Sequence, residues 1–159
     1  ITGRRMDDSL ILPFIEKCGC DIYVAEEQGK ILGVVVVSAR KLSFTPSLVW
    51  FYLKNFGIIV SLRAYLRLRC FRKKFPKQLG GEYFIEAIAV DENIRNKGIG
   101  RELMVNMEKI LSKNAKHIGL VVKSGNPANE FYKSLGFIKV KECVTPAFGK
   151  WNYMRKEIG

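Results

Sequence analysis

AVDENIRNKGIGRELM, residues 89–104, is the stretch whose reading decides the fold of this chain. The ten residues that end at Val90 (GEYFIEAIAV, 81–90) partly alternate and are rich in β-formers, which predicts a strand. From the end of the stretch onward, Leu103, Met104, Met107, Ile110 and Leu111 fall on one apolar stripe of helical period, with Glu102, Asn106 and Lys113 facing away. A helix over 100–114 follows. Between the two, Gly98 and Gly100 lack a Cβ, so their N–H groups can approach a ligand and their backbone can take positive φ. The loop runs straight into a helix N-terminus, where several N–H groups have no intrahelical acceptor and the helix dipole is positive. Arg95, Lys97 and Arg101 add positive charge. The pattern suits an anion, and equally a glycine turn ringed by solvated cations. No third glycine completes G-x-G-x-x-G and no G-K-[ST] is present, which sets aside dinucleotide and P-loop readings.

Working outward, HIGLVVK (117–123) predicts a strand. NPANEFYKSLGF (126–137) predicts a short helix, with Pro127 in its first turn and Gly136 at its stop. FIKVKEC and KWNYMRKEI predict two closing strands joined through Thr145-Pro146 and Gly149. Upstream, DIYVAEEQGKILGVVVVSAR predicts a hairpin turning at Gln28-Gly29, whose second run is apolar enough for both faces to be covered. Residues 8–18 have helical spacing, with Pro13 close to the start. The order is that of an α/β protein with a mixed, largely antiparallel sheet flanked by helices, in one domain over residues 1–159.

At 159 residues, 48% hydrophobic, the chain is long enough for one sizeable core. Residues 1–9 lack the apolar run of a secretory leader, and four scattered cysteines suit a reducing compartment, so a cytoplasmic location is expected. Cys18-Gly19-Cys20 has the wrong spacing for a zinc site, and no metal is expected. His117 is the only histidine, which argues against Ser-His-Asp or Cys-His chemistry.

The net charge of +12 is local. Between Glu27 and Glu82 there is no acid but there are 11 of the 27 cations, leaving 16 against 15 acids elsewhere. Most of that basicity lies in an insert at about 44–79. From Phe44 to Leu62 only Lys54 is charged, yet Lys54 would stand near a bilayer centre at a cost of ~2.5–3.5 kcal/mol, and Pro46, Asn55 and Gly57 further weaken a spanning helix. Two amphipathic helices broken near Asn55-Phe56-Gly57 fit better, with Ile58, Ile59, Leu62, Tyr65 and Leu66 on one face and Arg63, Arg67 and Lys74 opposite. One reading packs this pair on the sheet. The other gives Arg63, Arg67, Arg69, Arg72, Lys73 and Lys74 an acidic ligand, anionic lipid or a nucleic-acid-associated partner. There is no specific nucleic-acid motif. Oligomeric state is left open.

Arg95-x-x-Gly98-x-Gly100, after a strand ending Ala-Val and before an amphipathic helix, resembles the acetyl-CoA-binding signature of the GNAT N-acetyltransferase superfamily. Asn126 to Phe137, an Asn-led helix ending Tyr-x-x-x-Gly-Phe, resembles its second signature, and the likeness covers roughly residues 20–155 apart from the insert. The resemblance implies acetyl transfer from acetyl-CoA, without a metal, to a primary amine of a small molecule or peptide by direct attack. It implies pyrophosphate on the N–H groups of Asn96, Lys97, Gly98, Ile99, Gly100 and Arg101, and pantetheine along Ile88, Ala89 and Val90, with the Ile88 N–H polarising the thioester. Glu86 matches the carboxylate that accepts the amine proton, directly or through water. Tyr132 matches the proton donor to the thiolate, and Asn126 the pantetheine contact, with Asn129 as a rival. Alternation places Glu86 on the face of Ile88 and Val90. The alternative is a non-catalytic member of the fold, or a basic-helix module for acyl-CoA, membrane or nucleic acid. The superfamily's first strand has no good match in residues 1–7.

Overall fold

The structure, a computed structural model, describes residues 20–39, 46–145 and 149–158. The helix expected over 8–18 and the weak strand at 1–7 lie outside the described residues.

β1 (Cys20–Glu27) and β2 (Lys30–Ser38) form the expected hairpin. Gln28 (φ 52°) and Gly29 (φ 80°) both have positive φ, the two-residue turn whose twist matches that of paired strands. Next comes α1 (Pro46–Lys73), broken at Gly57 by φ 76°, ψ 168°, where the sequence predicted two helices. β3 (Glu82–Val90) leads through a 3₁₀ turn (Glu92–Ile94) into α2 (Ile99–Leu111). β4 (His117–Lys123), α3 (Ala128–Ser134), β5 (Ile138–Thr145) and β6 (Gly149–Glu157) complete the order.

The six strands form one sheet in the order β1-β2-β3-β4-β6-β5. Every pairing is antiparallel except β3 with β4. Its main core lies on the face covered by α2 and α3: Val35, Val37 and Ile85 from the sheet meet Leu103, Met104 and Met107 from α2 and Tyr132 and Leu135 near α3. Ile110, expected on the buried stripe of α2, is instead half exposed beside β1. The opposite face carries a smaller cluster of Phe75, Phe84, Cys143 and Tyr153.

Two irregularities shape the centre of the sheet. First, the β3–β4 pairing runs only from Glu82↔His117 to Ile85↔Leu120, whereas β4 stays paired with β6 to Lys123. The strands part after Ile85. Second, Val36 pairs with Ala87 but Val37 with Ile85, so Glu86 is the extra residue of a β-bulge.

At the paired end of the split, the fully buried Glu82 holds the strands together. Its carboxylate accepts from the Tyr153 hydroxyl at 2.6 Å, Arg155 Nε at 2.9 Å and the Leu79 N–H at 2.7 Å. Removing any one donor would leave a buried anion under-satisfied, which is why such clusters break at high cost.

Candidate active site

The loop after β3 is held by local chemistry. Asp91 Oδ1 accepts from the Asn93 N–H at 2.9 Å, a bond that also holds the Asp91 carboxyl below its ordinary range. Asn96 (φ 64°) and Gly98 (φ 87°) then turn the chain left-handed, and Gly98 is the N-cap of α2 without a side-chain cap. The first intrahelical bond runs from the Glu102 N–H to Gly98 O at 3.0 Å. By helix geometry the N–H groups of Ile99, Gly100 and Arg101 therefore have no intrahelical acceptor.

These groups open on a cleft of about 810 Å³ lined by β3, the loop, the start of α2 and the start of α3. No Asp or Glu is among its lining residues, while Arg95 and Arg101 are. The two arginines are already oriented: Arg95 Nε donates to Val90 O at 3.4 Å, and Arg101 Nη2 to Ser134 Oγ at 2.7 Å. Arg101 thus ties the start of α2 to the end of α3, a link between two helices that the sequence reading treated as free charge. Lys97 is exposed and outside the lining. A Cβ added to Gly100 would stand 3.5 Å from Val90 Cγ2 and 3.6 Å from Phe131 Cζ, on the cleft floor.

The edge of β3 supplies the other wall. The Asp91 N–H bonds Leu32 O, which makes that pair hydrogen-bonded; in an antiparallel ladder such pairs alternate. In this register the backbone of Ala89, opposite Val34, is committed to β2. Ile88 and Val90 point their N–H and C=O groups the other way, into the opening left where β4 departs. Of the three residues expected to pair with pantetheine, Ile88 has both backbone groups available, Val90 has its N–H while its C=O accepts from Arg95, and Ala89 lines the cleft without them.

Glu86 is not where alternation put it. Ser38 pairs with Phe84, on the face opposite Val37 and Ile85, and the Ser38 hydroxyl donates to Glu86 Oε1 at 2.7 Å. Ile88 packs against the main core, so the bulge has swung Glu86 to the other face from Ile88 and Val90. Alternation assumes an unbroken register, and the inserted residue breaks it. Ser38 itself was not singled out; its signal was a lone hydroxyl ending an apolar strand.

Tyr132 is buried at 7% exposure between Phe131 (centroids 5.4 Å) and Phe137 (5.8 Å), and burial raises its phenol above the ordinary value. The phenol therefore stays protonated, as a donor must. Neither Glu86 nor Tyr132 lines the cleft, whose lining includes their chain neighbours Ile88 and Phe131. The two asparagines divide the work. Asn126 lines the cleft, and its Oδ1 accepts from the Ala128 N–H at 2.9 Å. Asn129 is buried beneath, donating to Lys123 O at 2.8 Å and Asn126 O at 2.6 Å and accepting from Asn152 Nδ2 at 2.8 Å. Among the described residues no group of His, Cys, Asp and Glu could hold a metal ion.

A split sheet whose free strand edge meets an uncapped helix N-terminus, with arginines and no acids around the opening, suits an extended anionic ligand. The family profile described as Acetyltransferase (GNAT) family matches residues 3–137, and the chain belongs to that family. Solved structures with the same fold include smu.2055 from Streptococcus mutans UA159 (TM-score 0.64, 20% identity, covering 100% of this chain and 82% of that one). Ard1 from Thermoplasma volcanium aligns with TM-score 0.60 at 18% identity over 99% of this chain and 84% of that one. The ribosomal-protein-S18-alanine N-acetyltransferase from Escherichia coli aligns with TM-score 0.55 at 17% identity over 89% and 70%. No curated protein sequence matches the chain.

Proposed function

We propose that the protein is an acetyl-CoA-dependent N-acetyltransferase that moves an acetyl group to a primary amine of a small molecule or peptide by direct attack. One observation carries the reading: the acid-free cleft joins the unpartnered helix N–H groups, two arginines and the exposed edge of β3. Its residues fit acetyl-CoA in order. The N–H groups at 99–101 and the Arg95 and Arg101 guanidiniums suit pyrophosphate, and the edge groups of Ile88 and Val90 with Asn126 suit pantetheine.

When bound, acetyl-CoA supplies an activated thioester carbonyl and a thiolate leaving group. The Ile88 N–H is the preorganised donor for the carbonyl oxygen, where negative charge grows during attack. Glu86 takes the proton of the incoming amine, directly or through water, and Ser38 fixes the carboxylate for that task. Tyr132 returns a proton to the departing sulfur. An acceptor with acidic groups suits the basic insert better than a polycation, which the insert would repel.

Calorimetric titration with acetyl-CoA, followed by an amine panel read by free-thiol release, tests this. Binding near micromolar affinity with thiol release for some amine supports it. No heat and no thermal stabilisation at saturating acetyl-CoA overturns it in favour of a fold used without catalysis.

A further inference from the structure

Beyond Gly57, α1 turns an apolar stripe to solvent. Ile58 (73% exposed), Ile59 (68%), Leu62 (54%) and Leu66 (49%) lie within one arc of the helix and Val60 is exposed beyond it, while the side through Ser61, buried, and Ala64, half-buried, is turned inward. The expectation that this pair of helices packs its apolar face on the sheet is not met among the described residues. Arg63 borders the stripe on the Ile59 side with Arg67 next round the helix, nearer the stripe than the opposite face expected for them, and Arg69 and Lys73 continue its line one turn on; all four are exposed. The segment from Gly57 to Lys73 is about 24 Å long at about 1.5 Å per residue. Its far end is anchored: Cys143 Sγ donates to Lys74 O at 2.9 Å, and Phe75 is buried against Tyr153, ring centroids 6.2 Å apart. The stripe is thus held away from the core.

We propose that the second half of α1 is a docking surface for anionic lipid, lying flat at the headgroup boundary. An apolar arc beside a cationic flank is what an interfacial helix needs: the side chains of Ile58, Leu62 and Leu66 enter the acyl edge, and the arginines reach the phosphates. Charge selects the occupant. Residues 28–81 contain no acid, so a second copy docked stripe to stripe would set Arg63, Arg67, Arg69 and Lys73 against their own likeness. Nucleic acid would use the cations and leave the leucines and isoleucines in water. No helix among the described residues is long and apolar enough to cross a membrane, so contact is from the surface.

The experiment is co-sedimentation of the full chain with vesicles of phosphatidylcholine alone or with phosphatidylserine, at low and high salt. Binding is expected only with phosphatidylserine and is expected to fall with salt. Arg63→Glu with Arg67→Glu should weaken it by more than about tenfold. Leu62→Ser with Leu66→Ser should weaken it several-fold while leaving the melting temperature unchanged, since both positions are solvent-facing. Failure to bind phosphatidylserine vesicles, or equal binding to phosphatidylcholine, overturns the proposal. So does indifference to the leucine pair combined with equal capture of polyglutamate or duplex DNA, which would mark a purely electrostatic patch for an acidic protein or nucleic acid. Concentration-dependent dimerisation in sedimentation velocity, abolished by the leucine pair, would also overturn it.

Discussion

A Cβ built on Gly119 would stand 2.5 Å from Oε1 of Glu82 and 2.9 Å from the Tyr153 hydroxyl oxygen. Gly119 sits on β4 opposite Phe84, and its missing side chain is the space that the buried carboxylate fills. Gly119→Ala must displace a buried charge from its donors, so it should destabilise the fold by about 3 kcal/mol. The midpoint of urea unfolding at unchanged slope reads it. An unchanged midpoint would show that the carboxylate has room to move.

The same cluster sets a pH window. Burial alone would raise the Glu82 carboxyl, but the Arg155 and Tyr153 hydrogen bonds and the Leu79 N–H outweigh it and hold the group below 4.5. Its contribution is therefore present above the unfolded value and lost as pH falls through the lower folded one. Tyr153 is pushed above 10.0 by burial and by Glu82, so its contribution is full below 10.0 and lost at higher pH. Unfolding free energy against pH should show both limbs. Glu82→Gln should flatten the acid limb, and Tyr153→Phe the alkaline one.

Gly98 and Gly100 separate stability from binding. Gly98 has φ 87° and nothing within 4 Å of an added Cβ, so Gly98→Ala is opposed by backbone strain of about 1–2 kcal/mol. Gly100 lies inside α2, where Ala is favoured over Gly by up to about 1 kcal/mol, yet its methyl would fill the cleft floor beside Val90 and Phe131. Gly98→Ala should lower the melting temperature. Gly100→Ala should hold or raise it while increasing KM for acetyl-CoA at least tenfold. A Gly100→Ala enzyme with normal KM would remove the cleft from the reading.

Asn126 and Asn129 should likewise part. Asn129→Ala deletes buried hydrogen bonds to Lys123, Asn126 and Asn152 and should cost about 1–3 kcal/mol of stability. Asn126→Ala loses one exposed cap and should act mainly on KM for acetyl-CoA. Thermal melts beside steady-state kinetics decide it.

Tyr132→Phe keeps the ring between Phe131 and Phe137 and removes only the hydroxyl. For a proton donor, kcat should fall about 10²-fold with KM for acetyl-CoA little changed. Glu86→Gln should lower kcat comparably and abolish the acid limb of the rate profile. Ser38→Ala should produce a smaller loss, through a carboxylate no longer held. Full activity in Glu86→Gln would pass the base role to another group.

The hairpin, β3, α2 and both glycines of the loop were legible because each is a local pattern: a turn dipeptide, an alternation, a 3.6-residue stripe. The break in α1 at Gly57 was legible for the same reason. The Glu82 cluster was invisible, since Tyr153 and Arg155 lie 71 and 73 residues away and no short-range pattern joins them. Glu86 was found as a residue and misplaced as a side chain, because a bulge follows from how β2 and β3 pair. Amphipathicity in α1 could be read directly, but which way its stripe faces could not.

Sequence alone determined the element order, the family signatures and the concentration of charge in one segment, all properties of neighbours along the chain. Tertiary structure alone decided which backbone groups of β3 reach the cleft, which asparagine meets it, and on which face Glu86 stands. Those depend on the parting of β3 from β4 after Ile85 and on one extra residue in a register, and both are set by pairing between strands.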